Sequence, residues 1–80
     1  MTITLDIIPT GGSGIIRGIV TDHVTKERLE SLGLIMGVEI AAVRKSPLGR
    51  TRIYKCLNTL IALRKDIAEK VQVEVPDEQL

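Results

Sequence analysis

The side chains of this sequence that could do chemistry are few, and their spacing does not form a catalytic group. His23 is the only histidine and Cys56 the only cysteine. A nucleophile needs a base beside it and a group that stabilises the developing charge. His23 stands at the start of a predicted helix and Cys56 within a predicted strand, and no oxyanion-hole motif accompanies them. We therefore predict that the protein is not an enzyme.

A metal site would draw on the same residues. Asp22 and His23 are adjacent and could supply two ligands, with Cys56 or Glu27 as a third. No CxxC, HxxxH or DxxH spacing presents two strong ligands on one face. The alternative is a helix-capping aspartate, a surface histidine and a small buried thiol. We expect no cofactor, and the candidate ligands for Fe(II) or adventitious zinc are Asp22, His23 and Cys56.

Five basic residues cluster along one predicted hairpin: Arg44, Lys45, Arg50, Arg52 and Lys55. On neighbouring strands they would form a positive ribbon, which could meet an acidic partner surface or a nucleotide phosphate. The alternative is a solvated strand face, because lysine and arginine discourage edge-to-edge pairing of sheets. We favour the solvated face.

Composition limits the function classes further. The 80 residues suffice for one small domain, and 11 basic against 10 acidic residues give a net charge of +1. Such a balanced charge provides no field for binding nucleic acid. Tyr54 is the only aromatic residue, so the aromatic grooves that read proline-rich peptides and the platforms that stack bases are both missing.

The chain has no sequence feature of a secreted or membrane-inserted protein. A single cysteine excludes an internal disulfide and fits a reducing compartment. No stretch reaches the roughly 18 apolar residues of a membrane span, and the first residues lack the pattern of a secretory signal. We expect a soluble, cytoplasmic protein, which reaches the inner face of a membrane only through a partner.

The segment 28–40, RLESLGLIMGVEI, carries the clearest structural signal. A short helix with Leu29 and Leu32 on one face should stop at Gly33, because glycine accepts the left-handed conformation at a helix end. Gly37 permits a second turn, and alternation of apolar residues predicts a strand from Val38 to Lys45. Helix, stop, tight loop and strand thus fit into about a dozen residues.

The other elements follow from turn residues and alternation. The helix should be capped by Asp22 or Thr25. Before the helix we predict an extended lead-in at Leu5–Pro9, a glycine-rich turn at 10–14 and a strand Ile15–Val20. After the strand that ends at Lys45 we predict a hairpin turn at 46–49, a strand Thr51–Leu57, a turn at Asn58 and a strand Thr59–Leu63. The chain should end with a helical turn Lys65–Glu69, a closing strand Val71–Val75 and a frayed tail at 76–80.

Apolar residues stand where polar ones are more usual. Ile35 and Met36 fill the centre of the loop that follows the helix, and Leu48 sits at a hairpin tip, although such positions are normally exposed. Both faces of the strand Thr51–Leu57 also carry apolar residues. Either another segment of the chain covers this surface, or it is left free for a second chain, including another copy of the protein.

Three motifs in this order resemble the FeoA family, accessory proteins of bacterial ferrous-iron uptake. They are RLxSLGLxxGxxI at 28–40, Pro47-Leu48-Gly49, and IALR at 61–64, and the resemblance runs from about Leu5 to Val75. It implies a mainly β fold, a small SH3-like β-barrel with one short inserted helix and a second helical turn before the last strand. Arg50-Thr51 and Asn58 depart from the family pattern, which usually has an acidic residue with proline and a glycine there.

The resemblance also implies a partner, the FeoB-like membrane transporter with its cytoplasmic GTP-binding part. We expect residues 1–80 to form a single domain that binds this partner without catalysis and modulates its assembly or GTP cycle. The residues expected to make contact are Ile35, Met36 and Leu48 as apolar anchors, with Glu27 and Glu30 as a polar rim.

Two other functions remain open. The same SH3-like domain resembles the C-terminal part of iron-dependent repressors of the DtxR type, but 80 residues leave no room for a DNA-binding domain. A free-standing copy could act only by binding such a regulator. The second alternative is a weak Fe(II) carrier, in which binding would depend on His23.

Overall fold

A computed structural model describes residues 1–47 and 49–76 of the chain. It contains six strands, two helices and a 3-10 turn. In chain order these are β1 (Thr2–Thr4), the 3-10 turn (Leu5–Ile7), β2 (Ser13–Ile19), α1 (His23–Ser31), β3 (Glu39–Lys45), β4 (Thr51–Cys56), β5 (Thr59–Arg64), α2 (Lys65–Ala68) and β6 (Val71–Glu74).

All strands belong to one antiparallel sheet, in the order β1-β6-β2-β3-β4-β5. The register shifts in β2 between Ile16 and Gly18, and in β3 between Ala42 and Arg44. Such irregularities bend a strand and increase its twist, which lets a small sheet curl around its own core. The mainly β architecture with one inserted helix agrees with the sequence prediction.

The core is aliphatic around one aromatic ring. Tyr54 is fully buried on β4, and its exposed fraction is 0%. The largest side chains that share this core come from the 3-10 turn and the residue after it, β2, the loop after α1, β3 and β6: Leu5, Ile8, Ile16, Leu34, Ile40, Val71 and Val73. The core thus gathers residues from both the first and the last described segments of the chain, and a single domain stays a prediction.

Several element bounds differ from the sequence prediction. The lead-in at Leu5–Pro9 is not simply extended, because the chain pairs as β1 at Thr2–Thr4 and then enters the 3-10 turn. Pairing with β3 starts β2 already at Ser13. These interactions are between segments distant in sequence, so local patterns do not report them.

The structure also shows which face of β4 points into the core. Arg52, Tyr54 and Cys56 point inward and are buried, whereas Lys55 is exposed. Arg52 therefore does not belong to a solvated basic ribbon, and that part of the sequence prediction was wrong. The other four basic residues of the hairpin are exposed.

Two predicted features lie outside the described residues. They are Leu48 at the hairpin tip and the tail at 77–80. Within the described ranges, no helix is long and apolar enough to cross a membrane.

Candidate interaction surface

The end of α1 is fixed by a glycine and two backbone hydrogen bonds. Gly33 has a φ of +106°, and its N–H donates to the carbonyl of Glu30 at 3.0 Å. The N–H of Leu34 donates to the carbonyl of Leu29 at 3.1 Å. This pattern is the Schellman motif, in which a hydrophobic contact between the same two positions commonly accompanies the hydrogen bonds. Leu29 and Leu34 are both buried, so the helix end is anchored to the core.

A second turn follows directly and holds its central residues outward. The N–H of Val38 donates to the carbonyl of Ile35 at 3.1 Å, and Gly37 has a φ of +92°. A turn with glycine in the left-handed region at its third position has type II geometry. The turn is tied to β2, because Gly37 N–H donates to the carbonyl of Ile16 at 2.8 Å and Ile16 N–H donates to Val38 at 2.9 Å.

This geometry exposes the apolar residues of the turn. Ile35 is 48% exposed and Met36 69% exposed. Both are thus apolar side chains on a backbone that is hydrogen-bonded to the sheet. The exposure that loop chemistry predicted for these two residues is present.

A third element adds to the same surface. Cys56, Leu57, Asn58 and Thr59 form the tight turn between β4 and β5, and Leu57 and Asn58 have φ values of 52° and 62°. Positive φ at both central residues is typical of a type I′ hairpin turn. The turn at Asn58 was predicted. That Leu57 shares its left-handed geometry was not.

Leu57 lies against the end of α1. Its Cδ1 atom is 3.3 Å from the point that a Cβ on Gly33 would occupy. Leu57 is nevertheless 61% exposed, and Leu32 at the helix end is 46% exposed. We define the apolar patch as Leu32, Ile35, Met36 and Leu57. Leu57 was not predicted as a surface residue. Leu29 and Leu32 were predicted on one face of the helix, but only Leu29 is buried, whereas Leu32, the C-cap of α1, is exposed.

The helix α1 leads directly into the apolar patch, and most of its side chains are exposed. Only Leu29 of α1 is buried, and Glu27 and Glu30 are both exposed. Glu27 Oε1 lies 2.8 Å from His23 Nε2, an (i, i+4) pair on the helix surface. The two glutamates thus provide acidic groups on the helix that leads into the apolar patch.

The candidate metal ligands have separate structural roles. Asp22 is the N-cap of α1 and accepts from the N–H of Thr25 at 2.9 Å and from its hydroxyl at 2.8 Å. These hydrogen bonds lower the pKa of Asp22. Of the two caps that the sequence left open, the structure thus selects Asp22. The described residues contain no cluster of three or more His, Cys, Asp or Glu side chains suited to a metal ion.

Cys56 does not join Asp22 and His23. Its thiol is buried and donates to the carbonyl of Gly33 at 3.3 Å. Burial also raises the pKa of this thiol, which disfavours the thiolate that binds metals and attacks electrophiles. The described residues thus do not bring the three candidate ligands into one group. Metal binding by Asp22, His23 and Cys56 stays a prediction, whereas the small buried thiol agrees with the structure.

Comparison with known proteins places this fold in a family. A family model described as the FeoA domain matches residues 3–75. FeoA from Chlorobium tepidum, solved by NMR, is 25% identical with a TM-score of 0.85, over 91% of this chain and 70% of that chain. FeoA from Stenotrophomonas maltophilia, solved with zinc and described as a prokaryotic SH3 domain protein, is 27% identical with a TM-score of 0.76, over 90% of this chain and 96% of that chain.

A wider likeness concerns the fold alone. A manganese-dependent transcriptional repressor is 13% identical with a TM-score of 0.83, over 94% of this chain and 42% of that chain. Among curated protein sequences, none matches the chain. The helix stop at Gly33, the turn at Gly37 and the SH3-like sheet occur within a family match that spans residues 3–75. The chain therefore belongs to the FeoA family.

Proposed function

We propose that this protein is a non-enzymatic accessory protein of ferrous-iron uptake, which docks on the cytoplasmic part of a FeoB-like transporter through the apolar patch. Docking would modulate the assembly of the transporter or its GTP cycle. Family membership supports the link to iron uptake. The Stenotrophomonas relative is described as a candidate ferrous iron transport activating factor, which supports the same role here.

The observation that carries the docking proposal is the exposure of Ile35 and Met36 on a hydrogen-bonded turn. The turn is anchored to β2 by two backbone hydrogen bonds, so binding need not order a mobile loop. Complete burial of an Ile or Met side chain contributes about 1.5 to 3 kcal/mol relative to leaving it exposed. Since both residues are about half or more exposed, together they can provide a substantial part of a moderate affinity.

The glutamates of α1 give the surface a preference among partners. Glu27 and Glu30 are exposed beside an otherwise apolar contact, and rim charges influence association rate and orientation more than affinity. Lys26 and Arg28 of α1 are exposed as well. We therefore infer a partner surface that is apolar at its centre and carries basic groups where it meets Glu27 and Glu30. Leu48, the third predicted anchor, stays a prediction because it lies outside the described residues.

Iron uptake in cells tests the proposal. In a bacterial strain that lacks its own copy of this gene, complementation with the unchanged protein should restore uptake of radioactive ferrous iron. An Ile35→Asp/Met36→Asp variant at equal protein level should not restore it. The matched control is Val20→Asp/Val43→Asp, which places the same charges at exposed apolar positions outside the apolar patch and should restore uptake.

Failure of the unchanged protein to restore uptake would contradict the accessory role. Restoration by the Ile35→Asp/Met36→Asp variant would contradict docking through the apolar patch while leaving the role in iron uptake intact. Binding of one Fe(II) that is lost in a His23→Ala variant would instead favour the carrier function. The likeness to repressors, at 13% identity, gives no residue that favours regulation of transcription.

A further inference from the structure

Arg52 is a buried cation whose hydrogen bonds are incomplete. Its side chain points inward from β4, and the residue is 9% exposed. Nη1 donates to the backbone carbonyl of Asp6 at 2.9 Å, and Nη2 donates to Oγ1 of Thr10 at 3.4 Å. Nε is buried and has no hydrogen-bond partner among the described residues. Since a guanidinium has five N–H donors, these contacts satisfy less than half of them.

Neither of these acceptors carries a charge. The carboxylate of Asp6 accepts from the hydroxyl of Thr4, and in the described part of the chain the ion pairs involve other residues than Arg52. The guanidinium also lies over the ring of Tyr54, 5.6 Å from its centroid, and such a contact replaces only part of the hydration that a buried cation loses. Among the described residues, no carboxylate in contact with the guanidinium neutralises its charge.

The guanidinium borders a cleft with further positive charge. The cleft has a volume of about 440 Å³ and lies between the loop that follows the 3-10 turn, the end of β3, the start of β4 and the start of α2. Lys45, Arg52 and Lys65 line it together with one carboxylate, that of Asp6. Three cations and one anion give its lining a net charge of +2. Lys45 faces Arg52 across the β3–β4 ladder.

We propose that this cleft binds a phosphate-type oxyanion, either as free phosphate or as the terminal phosphate of a nucleotide. Arginine binds phosphate through parallel N–H donors, and lysine binds it as a point charge. Three cations from three elements suit a tetrahedral anion with charge on several oxygens. A single carboxylate side chain of a partner protein would be satisfied by the guanidinium fork alone. The cleft shares no residue with the apolar patch, so the proposal does not depend on the docking function.

The test is titration of the isotope-labelled protein, observed by NMR. Inorganic phosphate added to about 10 mM, enough to detect millimolar binding, should shift the Nε–H resonance of Arg52 and the amides of Thr10 and Gly49 in a saturable way. A Lys45→Gln/Lys65→Gln variant should bind about tenfold more weakly, because it removes two partly screened charges. A Lys55→Gln/Lys70→Gln variant has the same net charge without touching the cleft, and it should bind like the unchanged protein.

Two further titrations identify the source of the phosphate and the role of the parallel N–H donors of Arg52. Tighter binding of GTP or GDP than of phosphate, with shifts at the same residues, would assign the site to a nucleotide. Equal or weaker binding would assign it to free phosphate. An Arg52→Lys variant that stays folded should lose binding, because lysine keeps the charge but not the fork.

Two results would overturn the proposal. One is the absence of saturable shifts with phosphate and with both nucleotides. The other is an equal loss of binding in the Lys45→Gln/Lys65→Gln and Lys55→Gln/Lys70→Gln variants, which would reduce the effect to net charge. Binding of an acidic peptide without binding of phosphate would likewise contradict it. None of these results bears on docking through the apolar patch or on the role in iron uptake.

Discussion

Leu57 packs onto the backbone of Gly33, with its Cδ1 atom 3.3 Å from the point that a Cβ there would occupy. The carbonyl oxygen of the same glycine accepts a hydrogen bond from the thiol of Cys56, with a distance of 3.3 Å from Sγ to the oxygen. Gly33 therefore has two structural roles: its left-handed backbone ends α1, and its missing side chain leaves room for the side chain of Leu57. Through this contact two segments distant in sequence form one apolar patch.

Leu57 should be replaceable with a gain in stability. Leucine is disfavoured in the left-handed region, and Leu57 has a φ of 52°, whereas asparagine tolerates this geometry well. A Leu57→Asn variant should be about 0.5 to 1 kcal/mol more stable in urea unfolding, and its affinity for the transporter should fall because the apolar patch loses a member. A loss of stability would show that packing on Gly33 outweighs the backbone strain.

The two glycines around the loop should respond differently to substitution. Gly33 and Gly37 both have positive φ, but a Cβ at Gly37 would meet no atom of the described residues within 4 Å. Gly37→Ala should therefore cost about 1 to 2 kcal/mol from backbone strain alone, and Gly33→Ala should cost more because Leu57 must also move. In a Leu57→Asn background the difference between the two alanine variants should shrink. Chemical unfolding of the set measures it, and equal costs in the native background would contradict the packing described for Leu57.

The cap of α1 should make stability depend on acid. Hydrogen bonds from the backbone N–H and the hydroxyl of Thr25 hold the pKa of Asp22 below its usual value. Because the folded state lowers this pKa, the contribution of the carboxylate is fully present above the unfolded pKa. It is lost as the pH falls through the lower folded pKa. An Asp22→Asn variant keeps a neutral cap, so its unfolding should lack this part of the acid dependence. Identical pH profiles from pH 5 down to about 2 would contradict the capping role of the carboxylate.

The parts of this fold that the sequence predicts are those fixed by local chemistry. Gly33 predicts the helix stop and Gly37 the turn, because most other residues are disfavoured at positive φ. Asn58 predicts the β4–β5 turn, because asparagine tolerates positive φ. The inward position of Arg52 has no such local signal. Both alternating sets of β4 mix apolar and charged residues, so only the pairing with β3 and β5 determines which set faces the core.

The candidate surface also has one part that could be predicted from sequence and one part that could not. Ile35 and Met36 could be predicted as exposed, because the glycines on either side define a short turn. Leu57 joins them only through the contact between the β4–β5 turn and Gly33, which depends on tertiary packing. The basic cleft around Arg52 likewise gathers residues from the first turn, two strands and α2, and no sequence pattern brings these together.

The most direct test of the docking account is binding of the purified protein to a detergent-solubilised FeoB-like transporter from the same source, with and without a GTP analogue. The account predicts saturable binding that is lost in a folded Ile35→Asp/Met36→Asp variant and retained in Val20→Asp/Val43→Asp. A nucleotide effect on the affinity would connect docking to the GTP cycle. No binding in either nucleotide state, or undiminished binding of the Ile35→Asp/Met36→Asp variant, would contradict it.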